Sequence, residues 1–377
     1  MKIWIDGYEA NVEQRVGSGQ YAFEIIRNLE KIDQISEYTI LLPDQPLNDL
    51  PKERIGFRYR VLKPKRLWTR IALPLALYST KQKPDLFFSP THYIPRFSPV
   101  KVIVSIFDLA YFHFPEFFKK DDLYKLKNWT KYSVANSVAI LTISKSTKND
   151  LIKFYGVNSS KITVTYPGFK KEIYKPISDK TKIERIKSKY KTGDNYIIYI
   201  GTIQPRKNLA RLIEAFASVC KTDEKLNLVI VGKTTGAGRQ GWMFEDILEL
   251  PKRLGIEDKV IFTGFVPDSE VNFLLNGALA FVFPTLYEGF GIPVVDAMAA
   301  GVPVITSNTA SLPEAAGKAA LLVDPYSITQ IEQAISTITA DKALRQKYSK
   351  LGLAQAKKFS WEKCAKETLK VFENVSK

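Results

Sequence analysis

Short runs of β-branched and apolar residues alternate with helix-length amphipathic stretches along the whole chain. In the first half the runs are Lys2–Ile5, Tyr38–Leu42, Leu86–Ser89, Val102–Ile106, Val138–Thr142 and Ile162–Tyr166. In the second half they are Tyr196–Ile200, Leu228–Val231, Val260–Thr263, Ala280–Phe283, Val302–Thr306 and Ala320–Val323. Several are almost wholly apolar, the pattern of parallel strands buried on both faces. Repeated strand–helix–strand order defines an α/β class, and two such sets predict two doubly wound domains. The pattern places a first domain at 1–168 and a second at 194–358. Between them, residues 169–193 read as an interdomain segment with Pro176, many lysines and a charged helical stretch near Lys180–Lys191. Within 359–377, Trp361–Val375 reads as an amphipathic helix that follows the completed second sheet.

Composition narrows the class. The chain has 377 residues, 45% hydrophobic and 25% charged, the balance of a globular protein rather than a disordered chain or a disulfide scaffold. No run approaches the roughly 20 apolar residues that span a bilayer. The start, Met1–Asp6, lacks the apolar core of a signal peptide. Cys220 and Cys364 show no metal or redox spacing, so a reducing cytoplasm is the expected location. The net charge is +16, and it is lopsided. Residues 1–200 hold 34 basic and 20 acidic side chains, residues 201–377 hold 21 and 19, and residues 51–100 alone hold 11 and 2. Nucleic acid, a membrane surface or a phosphorylated substrate would each answer that charge.

Three motifs carry chemistry. In Pro284–Asp296, a buried strand enters a loop with Gly289 and Gly291, then a short helix with Pro293 in its first turn and Gly301 beyond its end. The glycines let backbone N–H groups approach a ligand at a helix N-terminus suited to phosphate. Glu288 and Asp296 would repel phosphate, so they fit sugar hydroxyls better. In Tyr196–Asn208, a strand empties into a loop bearing Arg206 and Lys207, a planar fork beside a point charge that suits a diphosphate. Asn208 is placed as the N-cap of a helix whose face is Leu209, Leu212, Ile213 and Phe216. The third motif, Arg15–Tyr21, opens a helix after the first strand and lacks the third glycine of a dinucleotide fingerprint.

Together with Val231-Gly232-Lys233, Gly264-Phe265-Val266-Pro267 and Gly301-Val302-Pro303-Val304, these motifs resemble the family-4 retaining glycosyltransferases. The resemblance covers essentially the whole chain and implies the GT-B architecture: two Rossmann-like domains facing across a cleft, with a last helix crossing back to the first. It implies that Arg206 and Lys207 hold the donor diphosphate and that Glu288 meets the donor sugar. Gly289, Phe290 and Gly291 would meet sugar and phosphate oxygens through their backbone, and Asp296 would hold the ribose diol. Val266 would lie by the base, Lys233 would join the donor set, and Gly19 would approach the diphosphate. Tyr21, His92, Phe107 and Asp108 are the expected acceptor-side residues. The co-substrate would be a GDP-, UDP- or dTDP-linked sugar and the acceptor a glycan or polyprenol-linked glycan, with no resident cofactor, no metal and no nucleic acid partner.

Two residues depart from the family pattern. Asp296 stands where the second acid is usually Glu. Phe107 precedes Asp108 where a His is usual, so a hydroxyl there loses its partner. A donor that is less polar at that position, such as a 6-deoxy sugar, is one reading; another residue having taken over is the other. His92 is read either as lining the acceptor cleft or as a loop residue. The family mechanism implies same-face substitution, for which the protein supplies charge neutralisation and positioning. No Asp-x-Asp pair stands at the expected metal site. The basic residues from Lys52 to Arg70 run into Leu67, Trp68, Ile71, Leu75 and Tyr78. This stretch, 52–78, reads either as a contact with an anionic membrane or as a helix with a solvated basic face. A nucleotide-sugar epimerase of the same architecture and a basic nucleic-acid-binding protein are the rival readings.

Overall fold

In the computed structural model, residues 1–232 and 245–377 are described. The chain forms two compact units. One comprises Met1–Gly168 with Ser360–Lys377, and the other Phe169–Phe359.

The first unit is built on a parallel sheet of β1 (Lys2–Asp6), β2 (Glu37–Leu42), β3 (Phe57–Val61), β4 (Leu86–Ser89), β5 (Lys101–Ile106), β6 (Ala139–Thr142) and β7 (Ile162–Val164). Their order is β3-β2-β1-β4-β5-β6-β7. β4 and β6 are buried at every position because helices cover both faces. β3 is the strand the periodicity did not show. Only Phe57 points into the core, and Arg58 and Arg60 stay exposed on the sheet's edge. Of the two readings of the 52–78 stretch, Trp68 fits the packed helix: it is buried, and its indole N–H donates to Asp6 Oδ1 at 2.9 Å.

The last helix, Trp361–Ser376, completes this unit. Ser360 caps it by accepting from the Lys363 N–H, and it packs along the Ser18–Ile32 helix. Phe372 meets Phe88 with ring centroids 5.1 Å apart. A Cβ at Gly168 would lie 2.1 Å from the Trp361 nitrogen, so only glycine lets the two segments pass.

The second unit carries β8 (Asn195–Ile200), β9 (Leu226–Val231), β10 (Val260–Gly264), β11 (Ala280–Phe283), β12 (Val304–Ser307) and β13 (Ala320–Val323). They form a parallel sheet ordered β10-β9-β8-β11-β12-β13. Strand order reverses between β8 and β11, so the crevice at their carboxyl ends is the expected ligand position. The segment expected as a linker folds with this unit. Its Lys180–Tyr190 helix packs on the Asp268–Gly277 helix, Ile177 N–H donates to Asn276 Oδ1 at 2.7 Å, and Lys189 pairs with Glu270 at 2.7 Å. Among the described residues, no helix is long and apolar enough to cross a membrane.

Candidate active site

β8 and β11 end side by side, and each delivers one of the two strongest motifs. After β8 the chain makes a single turn, Pro205–Lys207, and Asn208 follows in the left-handed region at φ 60°. Asn208 stands at the start of the Leu209–Cys220 helix, as its spacing predicts, but its side chain does not cap that helix. Its Nδ2 instead donates to the carbonyls of Pro284 at 2.8 Å and Pro325 at 2.6 Å. It thereby fixes the turn to the β11 loop. The Leu286 N–H donates back to the Arg206 carbonyl at 2.9 Å.

This stitching brings the cations onto Glu288. Arg206 Nη1 donates to the Tyr287 carbonyl at 2.7 Å and stands 3.4 Å from Glu288 Oε1. Lys207 Nζ donates directly to the same carboxylate oxygen. Lys207 is buried, with its ammonium over the Phe283 ring, 5.1 Å from the centroid. Burial alone would push the Glu288 carboxyl up. The charges of Lys207 and Arg206, with their hydrogen bonds, outweigh it and hold the group below its ordinary value. The trio keeps a net positive charge in a desolvated corner.

The Glu288 loop is held from its other side by three alternate residues. Ser307 Oγ donates to the Thr285 carbonyl at 2.6 Å, Thr309 Oγ1 to Leu286 at 3.3 Å, and Ser311 Oγ to Glu288 at 2.8 Å. Sequence reading missed these residues; the Ser-x-Thr-x-Ser alternation after β12 is the only signal they leave. The loop then reaches Gly291 at φ 98°, where a Cβ would meet Leu312 at 2.7 Å, and the Ile292–Ala299 helix starts. The first N–H groups of a helix lack intrahelical acceptors, which suits an anion at this position. Gly289 and Phe290 are buried, and the Phe290 ring packs on Phe359 at 5.1 Å, so only its backbone could meet a ligand.

Asp296 lies one turn along that helix. Its Oδ1 is buried without a hydrogen-bond partner among the described residues. Desolvation, with Asp268 adding to it, pushes the carboxyl well above its ordinary range, and Lys170 pulls only partly the other way. An acceptor atom with no partner in a dry site is costly, and a hydroxyl donor would relieve it. At the ends of β8, β9 and β10 three glycines draw the loops together. The Gly232 N–H donates to the Gly264 carbonyl at 3.1 Å, and a Cβ at Gly232 would lie 2.1 Å from the Gly201 oxygen. Val266 is buried just beyond Gly264, beside the exposed Phe265. Lys233 lies outside the described residues.

In the first unit, four expected residues collect at the carboxyl ends of β4 and β5. His92 Nε2 accepts the Phe107 N–H at 3.2 Å, which leaves the ring proton on Nδ1. Burial holds the imidazole below its ordinary value although Asp108 and Glu9 pull it up. The Phe107 ring lies between His92, 5.1 Å away, and Tyr21, 4.9 Å away, and Asp108 Oδ1 accepts the Ala110 N–H at 3.0 Å. Tyr21 itself is corrected. At 2% exposure its ring is a core residue against Phe107 and Trp361, and burial drives its hydroxyl far above the usual range. Gly19 is required by this chain's own backbone, because a Cβ there would lie 2.9 Å from the Glu9 carbonyl oxygen.

Two doubly wound parallel sheets, with a cation pair and a spaced acidic pair on the second, have the GT-B architecture. The chain belongs to the family-4, group 1 glycosyltransferases: residues 16–172 match Glycosyltransferase Family 4 and residues 180–355 match Glycosyl transferases group 1. It is 28% identical to the O-antigen chain mannosyltransferase B of Escherichia coli over 95% of this chain and 96% of that protein. It is 31% identical to the O-antigen chain mannosyltransferase RfbU of Salmonella typhimurium over 62% of this chain and 60% of that one. It spans 29% of the length of the E. coli serotype-specific mannosyltransferase WbdA. Its fold matches the sucrose-phosphate synthase of Thermosynechococcus elongatus with a TM-score of 0.78 at 18% identity, over 99% of this chain and 98% of that one. It also matches Anabaena HepE, solved with UDP and glucose, with a TM-score of 0.76 at 18% identity over 99% of both chains.

Proposed function

We propose that this protein transfers a hexose or deoxyhexose, of the mannose or rhamnose type, from a nucleotide-diphosphate sugar to a glycan or polyprenol-linked acceptor. The process served is cell-surface polysaccharide synthesis, at the cytoplasmic face of a membrane. The observation that carries this reading is the Arg206–Lys207–Glu288 cluster at the junction of β8 and β11. A donor diphosphate carries the charge that two adjacent cations neutralise, and Glu288 then becomes available to sugar hydroxyls. Asp296 takes the ribose diol through its unpartnered oxygen. The names of the full-length relatives favour mannose and an O-antigen-like product.

The transfer retains anomeric configuration. The departing diphosphate is stabilised by Arg206 and Lys207 as charge develops on it, and it accepts the proton of the acceptor hydroxyl on the same face. Two side-chain cations make a divalent metal and any resident cofactor dispensable. His92, Phe107 and Asp108 form the acceptor side. The test is a binding panel of GDP, UDP, dTDP and their sugars, followed by transfer from the preferred donor with and without EDTA and product stereochemistry by NMR. A single preferred nucleotide, EDTA-resistant transfer and retention support the proposal. A flat panel overturns it.

A further inference from the structure

On the first unit, a row of half-buried rings leads away from the acceptor-side residues. It starts where the His92 ring packs on Phe107. Tyr93 follows 6.2 Å from His92, and Trp129 stands 5.4 Å beyond Tyr93 with its ring turned by 80°. The Arg70 guanidinium lies over Trp129, 4.8 Å from the ring centroid. Three residues along the same Lys120–Asn136 helix, Tyr132 carries Arg96 over its ring at 3.8 Å. The backbone fixes these parts against one another. Ser89 Oγ donates to the Tyr93 carbonyl at 2.6 Å, the Arg96 N–H to the Thr69 carbonyl at 2.9 Å, and the Phe97 N–H to Tyr132 Oη at 2.8 Å.

Tyr93 and Trp129 are not core rings. Leu126 and Tyr132 of that helix pack on the apolar core of the unit, whereas Tyr93 and Trp129 stay out of it and keep part of their surface in solvent. Their polar ends are open. Among the described residues, neither Tyr93 Oη nor Trp129 Nε1 makes a hydrogen bond, and neither the Arg70 nor the Arg96 guanidinium meets a carboxylate. Packed Tyr and Trp normally find such partners. Burial, with Glu9, Tyr155 and Asp122 adding to it, pushes the Tyr93 hydroxyl up to about 12, so it stays a donor. Rings with apolar faces and free O–H and N–H edges suit a ligand whose faces are C–H and whose edges are hydroxyls, which is a sugar ring. The Glu9 and Asp122 carboxylates that act on Tyr93 would repel a phosphate, so the mixture of donors and acceptors selects an uncharged glycan.

We infer that Tyr93, Trp129 and Arg70 form subsites for the body of an acceptor glycan chain, behind its reacting end. The terminal sugar sits by His92 and Phe107. The sugars already in the chain stack along Tyr93 and Trp129, and Arg70 and Arg96 donate to their hydroxyls. The protein therefore favours long acceptors over short ones. Rigid rings supply this contact at low entropic cost. The inference rests on the proposed function for which end of the chain reacts. Glycan binding is measured without a donor, so a flat nucleotide panel would sink that reading and leave this one standing.

The full chain, without donor, is titrated calorimetrically with α-linked mannose oligosaccharides of two to four sugars, the chain that the relatives' names favour. The wild type binds the tetrasaccharide about tenfold tighter than the disaccharide, and equally at 50 and 150 mM NaCl. Trp129→Ala lowers tetrasaccharide affinity about tenfold, the range for truncating a central ring, and leaves disaccharide and nucleotide affinities within about threefold. Trp129→Phe, which keeps a ring, recovers most of the loss. Arg70→Gln, at an exposed position, lowers tetrasaccharide affinity about threefold and checks the patch without disturbing packing. Affinity independent of chain length overturns the proposal. So does wild-type tetrasaccharide binding in Trp129→Ala, or an equal loss for both oligosaccharides. Displacement of the tetrasaccharide by inorganic diphosphate would make the patch an anion site and overturn it too.

Discussion

Lys207 and Glu288, 81 residues apart in sequence, share a direct hydrogen-bonded ion pair in a dry corner between β8 and β11. Arg206 touches the same carboxylate from the more open side, at 3.4 Å. The two cations therefore answer differently to removal.

Arg206→Ala leaves Glu288 its lysine, so the fold persists while the transfer rate falls about 100-fold or more, the range for losing a donor aimed at developing charge. Lys207→Ala leaves the buried carboxylate only the longer contact to Arg206 and costs stability as well, about 3 kcal/mol. Kinetics and urea unfolding on both variants check the split. Near-normal turnover in purified Arg206→Ala would refute the assignment.

With Asp296 in its proposed place on the ribose diol, donor binding would be linked to protons. Its carboxyl sits well above the ordinary range when free, and hydroxyl donors favour the charged form. Binding then releases a proton, and donor affinity rises with pH through the range where the free carboxyl titrates. Calorimetry in two buffers of different ionisation heat measures the release. Asp296→Asn binds more weakly and without this dependence; equal heats in both buffers for the wild type would count against it.

Asp6 gives stability a pH slope. Burial is the largest influence and raises its carboxyl from 3.8 to about 6, even though the Tyr8 and Trp68 N–H groups favour the charged form. A raised folded-state value means stability present below about pH 4 and lost as pH climbs through 6, of order 3 kcal/mol in total. Urea midpoints from pH 4 to 8 fall for the wild type. In Asp6→Asn the fall over that interval is smaller by this amount.

The family resemblance puts Phe107 where a side chain would meet the donor sugar's 6-position, one of the two readings of its departure from His. An apolar contact rejects an added hydroxyl by no more than about 100-fold. The wild type uses a hexosyl donor and its 6-deoxy analogue within that ratio of kcat/KM, and Phe107→His shifts the ratio toward the hydroxylated donor. No shift assigns the position to another side chain.

Gly168→Ala forces a Cβ into backbone atoms of Ser360 and Trp361 that cannot move independently. We expect a loss of about 3 kcal/mol or more and early protease release of the last helix. An unchanged melting curve would contradict this.

What the sequence made legible follows from periodicity. Continuous apolar runs such as Ile197–Tyr199 and Phe281–Phe283 announce buried strands, and their carboxyl ends locate the motifs. Phe57–Val61 hid because an edge strand needs only one inward residue, and its arginines read as part of a charge cluster. Trp68 left two readings of its stretch open because spacing cannot reveal the partner waiting at Asp6. Asn208 looked like a side-chain cap because its left-handed backbone and its two distant carbonyls are tertiary facts. The same holds for Tyr21, whose position beside a glycine motif concealed a core ring.

The chain crosses from one unit to the other at 168–169 and returns at 359–360. A ribosome therefore finishes Phe169–Phe359 while the earlier unit still lacks the helix that lines Ser18–Ile32. The second-made unit can mature first, and the first-made one closes only when residues 360–377 have left the exit tunnel. A chain that stopped short of residue 360 would carry the whole of the second unit and a first unit left to chaperones and proteases.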